Sequence, residues 1–287
     1  MPVPNSTITF DYDSVRMSAA DEKITNGRVI PIKSALSKLL ERLQTTKIPT
    51  PDRYPKKCLS LKSMLKHLPK PAEGSIVDQY SLWLVVSSFL RPRDVVMTET
   101  GTAAYGGQSL ILPENTVLIN SCIWLLIGYM LSACQGAALA QRDKCIDDMQ
   151  PPGRTILFEG EGSLQMTAQS ISDIIRNKLD VIIFVLNNRG YTIVRLIHGV
   201  SAKYNDIQPW RNLEACSYFG ALKDDSSYPV RTFSAENWGR LREVLADPEL
   251  QRGKGLNIVE VAMDVADAPR SLKLFTECLE KRNGGKA

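Results

Sequence analysis

Residues 154–190 read RTILFEGEGSLQMTAQSISDIIRNKLDVIIFVLNNRG, and the fold follows from how that stretch alternates. The runs 155–158 and 181–186 are continuously apolar, which suits strands covered on both faces rather than strands with one wet face. The residues between them make one crossover helix, so the two strands are expected to run parallel. Outward from this unit the same alternation continues. Strand signals fall at 94–98, 116–120, 229–233 and 256–263, and helix signals at 75–90, 235–245 and 269–281. The pattern predicts an α/β fold, a doubly wound parallel sheet with helices on both faces.

The first run stops at Gly160-Glu161-Gly162-Ser163. Two glycines let the backbone come close to a ligand, and the free N–H groups that open the next helix favour an anion. A carboxylate stands in the same turn. Mg²⁺ reconciles the two, because it takes one or two protein oxygens and completes its octahedron with phosphate oxygens and water. Glu161, Asn188 and the Gly190 carbonyl are therefore the candidate metal ligands. The strand at 94–98 delivers Glu99-Thr100-Gly101-Thr102, whose small hydroxyls and glycine suit phosphate contact in the crevice of an open α/β sheet.

A glycine-acid-glycine turn followed across the crossover by Asn187-Asn188 resembles the thiamine-diphosphate signature. The words GSLQMTAQSIS, FVLNNRGYTI, LIHG and YNDIQPW, in that order, resemble the pyruvate decarboxylase family, including its indolepyruvate and phenylpyruvate relatives. The resemblance implies a thiamine-diphosphate-binding fold of the diphosphate type, with thiamine diphosphate and Mg²⁺ as cofactors. It also implies a carbon–carbon lyase lineage acting on a small organic substrate, a 2-oxo acid or other carboxylic acid. It puts Thr100, Thr102, Ile127, Gly162, Ser163, Asn188 and Ile193 on the cofactor, with Ile127 as the prop behind its bent form.

Four departures from the family pattern accompany that resemblance. Val194 ends the motif that reads YTIE in the family, and valine cannot move a proton. Leu125, in Trp124-Leu125-Leu126-Ile127, replaces a glycine where the pyrimidine ring packs, and crowding of that kind costs roughly 1–3 kcal/mol. Glu161 replaces an aspartate, one methylene longer. Arg189 replaces an acidic or small residue, and a guanidinium there can reach a diphosphate directly. No segment resembles the family's pyrimidine-binding domain, whose glutamate activates the cofactor in the partner subunit, so copies of this chain alone are not expected to form a conventional pyruvate decarboxylase.

Three functions are compatible with these residues. The first is a diverged pyruvate decarboxylase-like protein that keeps the Mg-diphosphate half of the site. The second is a repurposed, thiamine-independent cyclase or decarboxylase of specialised metabolism, with Leu125, Leu126 and Val194 lining an apolar pocket and His198 or Glu161 as acid or base. The third is a non-catalytic partner of a full-length decarboxylase. In each case the face that such enzymes bury needs a cover, so a homodimer, or a heteromer with a pyrimidine-domain protein, is expected. Glu99, Tyr191, Cys122 and Cys134 are further candidates by proximity, the cysteines as core residues.

Composition narrows the classes. With 44% hydrophobic and 23% charged residues the 287-residue chain has the make-up of a soluble globular protein, and a net charge of +4 without basic runs excludes a nucleic-acid-binding surface. The six cysteines, at 58, 122, 134, 145, 216 and 278, have no framework or metal spacing. Free thiols in the cytoplasm are expected, and MPVPNSTITFDYD carries no secretion signal. Residues 117–140 are apolar enough to raise a membrane span, but Asn120 and Gln135 favour a strand followed by a buried core helix from Trp124. The expected organisation is a central-domain remnant at 1–48, with a strand at 7–12 and an amphipathic helix at 31–43, then a Pro- and Lys-rich linker at 49–75 carrying a solvated His67. The thiamine-diphosphate-binding-like domain follows at 76–283, and a disordered tail at 284–287.

Overall fold

A computed structural model describes residues 6–10, 15–19, 22–24, 32–45, 61–121, 123–148, 153–199, 201–223 and 225–282. Two compact units divide the chain, Met1–Cys58 and Leu59–Ala287. In the first, β1 (Ser6–Phe10), β2 (Val15–Ala19) and β3 (Glu22–Ile24) form an antiparallel sheet, and a helix spans Ile32–Thr45. The first strand and the helix stand where the sequence predicts them, whereas β2 and β3 are additions.

The second unit is built on a six-stranded sheet in the order β5-β4-β6-β7-β9-β8. Its strands are β4 (Val95–Thr98), β5 (Val117–Asn120), β6 (Thr155–Gly160), β7 (Val181–Asn187), β8 (Val230–Ala235) and β9 (Leu256–Ala262), and every pairing is parallel. The apolar runs are continuous because both faces are covered. Ile156, Phe158, Ile182 and Phe184 join one core with Trp83, Phe89 and Trp238. The alternate residues Leu157, Val181, Ile183 and Val185 join the other, with Met130, Leu131 and Ile171. On the first face Phe158 stacks on Phe184 with ring centroids 4.9 Å apart, and Trp83 meets Phe158 edge-on at 5.2 Å.

At the N-terminal edge of the sheet, buried Asp94 and Arg154 hold β4 to β6. The guanidinium donates to both carboxylate oxygens, at 3.2 and 2.6 Å, and stands 4.3 Å over the Phe89 ring. At the opposite edge the order of strands matters more. From β4 the chain moves outward to β5 and then returns to the other side of β4 as β6, so the carboxyl ends of β4 and β6 part at a topological switch point.

Three expectations need correction. The strand expected at 116–120 is β5, but the buried helix expected from Trp124 does not start there. The helix begins only at Tyr129, and Ile123 to Ile127 lie exposed, because Leu125 (φ 49°) and Gly128 (φ 84°) adopt left-handed conformations that helix geometry excludes. The crossover between β6 and β7 is two helices, Glu161–Thr167 and Ser170–Arg176, with i→i−3 bonds from Ile171 and Ser172 tightening the step between them. The expected linker contains a helical turn, Leu61–Leu65. His67 is exposed, Cys122 and the tail at 284–287 lie outside the described residues, and Cys134, Cys145, Cys216 and Cys278 are free. No helix of the described residues is long and apolar enough to cross a membrane.

Candidate functional site

The switch point carries a cleft, and each of its walls begins where a strand ends. Beyond β4, Glu99 is fully buried. Its Oε1 accepts from the Thr100 N–H at 2.7 Å and its Oε2 from the Met130 N–H at 2.8 Å, so one side chain ties the turn to the first turn of the helix Tyr129–Asp148. Burial raises its pKa, and the N–H donors only partly offset this. Gly101, at φ 106°, then turns the chain into the short helix Thr102–Gly106. The Thr100 hydroxyl donates to the Leu126 carbonyl at 3.2 Å, drawing the 123–127 loop to this wall.

Beyond β6, Glu161 is 4% exposed and reaches across to the end of β7. Its Oε1 accepts from the Gly190 N–H at 2.6 Å and its Oε2 from the Asn188 N–H at 3.4 Å. Burial raises the Glu161 pKa against the lowering effect of those donors, with the nearby Glu260 carboxylate adding to the rise. Both glycines of the wall are needed for close approach. A Cβ on Gly162 would stand 2.7 Å from the Tyr191 ring, and one on Gly190, at φ 137°, would stand 2.4 Å from the Asn205 carbonyl oxygen. That carbonyl accepts from the Tyr191 N–H at 3.1 Å, and the Tyr191 hydroxyl donates back to the Gly162 carbonyl at 3.3 Å. The turn between β7 and the next helix is held from behind by buried Arg195, which donates to the Arg189 carbonyl at 3.0 Å and to Asp206 at 2.6 Å.

The cleft brings together Thr100, Thr102, Ile127, Glu161, Gly162, Ser163, Asn188, Gly190 and Ile193, all singled out from the sequence. Gly101, Gly160, Tyr191 and Thr192 complete it. Tyr191, a candidate from the sequence by proximity alone, belongs there because its ring fills the space that Gly162 leaves. His198 does not join them. It ends the helix Thr192–His198 as an exposed residue and is absent from the lining. Leu125 and Leu126 are exposed, and neither they, Val194 nor Arg189 lines the cleft.

One atom in the cleft points to a ligand. Asn188 is 4% exposed, and its Oδ1 has no hydrogen-bond partner among the described residues. A buried amide oxygen left in that state costs about 1–3 kcal/mol, which a cation or a donor would recover. Among the described residues no three His, Cys, Asp or Glu side chains gather as a metal cluster. The fit is instead to a hard cation that accepts a single carboxylate, from Glu161, together with amide and backbone oxygens.

Comparison with known proteins agrees with this geometry. Residues 99–221 match the family model described as thiamine pyrophosphate enzyme, C-terminal TPP binding domain. The chain is 44% identical to a pyruvate decarboxylase of Aspergillus parasiticus over 273 residues, 93% of this chain and 45% of that protein. It is 37% identical to one of Aspergillus terreus over 288 residues, 97% of this chain and 47% of that protein. The chain thus spans a little under half the length of these relatives. Among solved structures, benzoylformate decarboxylase from Polynucleobacter necessarius shares the fold at a TM-score of 0.57 and 16% identity, over 70% of this chain and 36% of that one.

Proposed function

Because the matched stretch is a C-terminal domain of the pyruvate decarboxylase family of thiamine-diphosphate enzymes, we propose that its cleft holds the diphosphate of thiamine diphosphate with Mg²⁺. Glu161 and Asn188 hold the cation, with Gly190 beside them, while Thr100, Thr102 and Ser163 receive the phosphate oxygens. The observation that carries this reading is the unpartnered Asn188 Oδ1 beside the Glu161 carboxylate, at the edge of the sheet where ligands of open α/β folds sit. When bound, thiamine diphosphate supplies a carbanion for cleaving bonds next to a carbonyl.

What this chain adds to that chemistry is binding and orientation rather than proton transfer. Val194 stands in the helix that follows Gly190, where the family motif has its glutamate, and no other titratable side chain among the cleft-lining residues is free of structural bonds. Glu161 spends its two oxygens on backbone N–H groups, and Tyr191 bonds to Gly162. We infer a diverged member of the family that retains the diphosphate half of a 2-oxo acid decarboxylase and depends on another protein surface for proton handling. The exposed residues Ile123, Trp124, Leu125 and Leu126, with Tyr129 and Met166 nearby in the chain order of the cleft elements, favour an assembly that covers them. The cleft gives the thiamine-independent reading no support, because none of His198, Leu125, Leu126 and Val194 lines it.

Calorimetric titration with thiamine diphosphate tests the proposal. Saturable binding that needs Mg²⁺, is abolished by EDTA and weakens at least about tenfold in Asn188→Ala is the expected result, the loss being that of one ligand-orienting contact. Binding that ignores both Mg²⁺ and Asn188 overturns the metal assignment, and ordinary turnover of pyruvate by the chain alone overturns the loss of proton handling.

A further inference from the structure

Glu260 ties together three segments near the carboxyl end of the sheet. It lies on β9 opposite Val185 of β7, and the two-residue period of a strand puts Asn187 on the same face. Its Oε1 accepts from Asn187 Nδ2 at 2.7 Å and from Asn212 Nδ2 at 2.8 Å. Asn212 is buried and opens the turn Asn212–Glu214, so one carboxylate oxygen holds both β7 and that turn to β9. None of the three residues lines the cleft.

The consequence for the cleft lies in the direction imposed on the Asn187 amide. A carboxylate can only accept, so the amide nitrogen faces Glu260 and the amide oxygen faces away from it. That oxygen accepts from the Arg189 N–H, two residues on, at 3.3 Å, which closes an Asx-turn. Inside the turn Arg189 adopts a left-handed conformation, φ 61°, and Gly190 follows at φ 137°. The same turn aims the Asn188 and Gly190 N–H groups at the Glu161 carboxylate, at 3.4 and 2.6 Å. Were the Asn187 amide turned over, its nitrogen would meet the Arg189 N–H, donor against donor, and the turn would lose its closing bond.

We infer that Glu260 is a positioning residue of the candidate cation site, acting through the Asn187 amide on the turn that carries Asn188 and Gly190. The assignment rests on the reading of the cleft as a Mg²⁺ and diphosphate site.

Two measurements on the full chain test it, backbone amide hydrogen exchange without ligand and thiamine diphosphate titration at stepped Mg²⁺ concentrations. In the parent chain the Arg189 and Gly190 N–H groups exchange slowly. Glu260→Leu, which lacks the oxygens, should speed exchange at those two positions while the N–H groups along β9 stay protected. It should also raise the Mg²⁺ concentration for half-maximal binding at least about tenfold, the effect of losing a partner behind a metal ligand. Should Glu260→Leu not fold, Asn187→Ala breaks the same link from its other end and carries the same expectations. Glu260→Gln keeps an oxygen that can accept from both amides but removes the charge, and it is expected to restore the protection and most of the Mg²⁺ affinity. A glutamine variant as weak as the leucine variant overturns the assignment, because the effect would then be charge attraction at a distance. Fast exchange at Arg189 in the parent chain overturns it too, and that measurement needs no variant. A parent chain that takes up no thiamine diphosphate with Mg²⁺ overturns the cleft reading and this assignment with it. A parent chain that binds, beside a leucine variant with the same Mg²⁺ requirement, overturns the role of Glu260 alone.

Discussion

Glu159 is the most exacting residue of the sheet. It lies two positions before Glu161, the proposed metal ligand, is fully buried, and neither carboxyl oxygen has a hydrogen-bond partner among the described residues. Burial, reinforced by the Glu99 carboxylate, drives its pKa well above the ordinary glutamate value. The sign of the pH effect follows from linkage. Below the ordinary value of 4.5 both folded and unfolded chains hold the proton; above it only the folded chain does, so this residue lowers stability as pH rises. Glu159→Met, of similar volume and without the polar head, is expected to stabilise the chain by about 1–3 kcal/mol at neutral pH. Thermal melts should show the gain shrinking as pH falls toward 4.5, and a gain independent of pH would refute the buried, proton-holding state. Leu125 carries a different strain. At φ 49° a leucine sits where glycine is at ease, which costs about 1–2 kcal/mol, and with half its surface exposed little burial repays it. Leu125→Gly should therefore raise stability by about 0.5–1 kcal/mol after glycine's own entropy cost in the unfolded chain, and a lower melting temperature would show that the loop gains its shape from leucine packing.

At the scale of elements, what the sequence made legible is what backbone periodicity and side-chain chemistry determine locally. Strands β6 and β7 could be read because their runs lack a wet face, and the residues on either side of the cleft because glycines, threonines and an Asn-Asn pair fall at strand ends. The helix expected from Trp124 could not be placed correctly. Its start is set by Glu99, just beyond β4, whose Oε2 accepts from the Met130 N–H, and by Gly128, where an added Cβ would clash with Met166. His198, Leu125, Leu126 and Val194 are expected together from the pocket that the family resemblance gives to the pyrimidine ring, and none of them lines the cleft, which takes only Thr192 and Ile193 from the helix Thr192–His198. Asn205 shows the same dependence on distant partners, since its carbonyl fixes both Gly190 and Tyr191. Gly190→Ala puts a methyl 2.4 Å from that carbonyl in a backbone conformation that L residues avoid, so about 1–3 kcal/mol of stability should be lost. Denaturant unfolding measures it, and an unchanged midpoint would mean that the β7 turn is more pliant than its bonds suggest.

Across the whole molecule the two edges of the sheet are finished in opposite ways. At the amino edge Arg154 and Asp94 satisfy each other, with Arg154 also donating to the Phe89 carbonyl at 2.7 Å, so β4 and β6 are fastened within the chain. At the carboxyl edge the same strands diverge, and Asn188 Oδ1 is left buried without a partner. An edge of the first kind sets how stable the fold is, and an edge of the second kind sets how much a ligand can add. The two contributions should separate in melting experiments. Asp94→Ala strands a buried guanidinium and is expected to cost about 3–5 kcal/mol, yet the increment produced by Mg²⁺ with thiamine diphosphate should persist wherever the variant still folds. Asn188→Ala should leave the unliganded chain as stable as before or slightly more so, because it deletes an unsatisfied acceptor, while the ligand increment falls. At a hundred times Kd that increment is about 2.7 kcal/mol in the parent chain, enough to read as a clear rise in Tm. If Asp94→Ala abolished the increment and Asn188→Ala spared it, the carboxyl edge would not be where the ligand fastens the strands, and the division of labour between the two edges would fail.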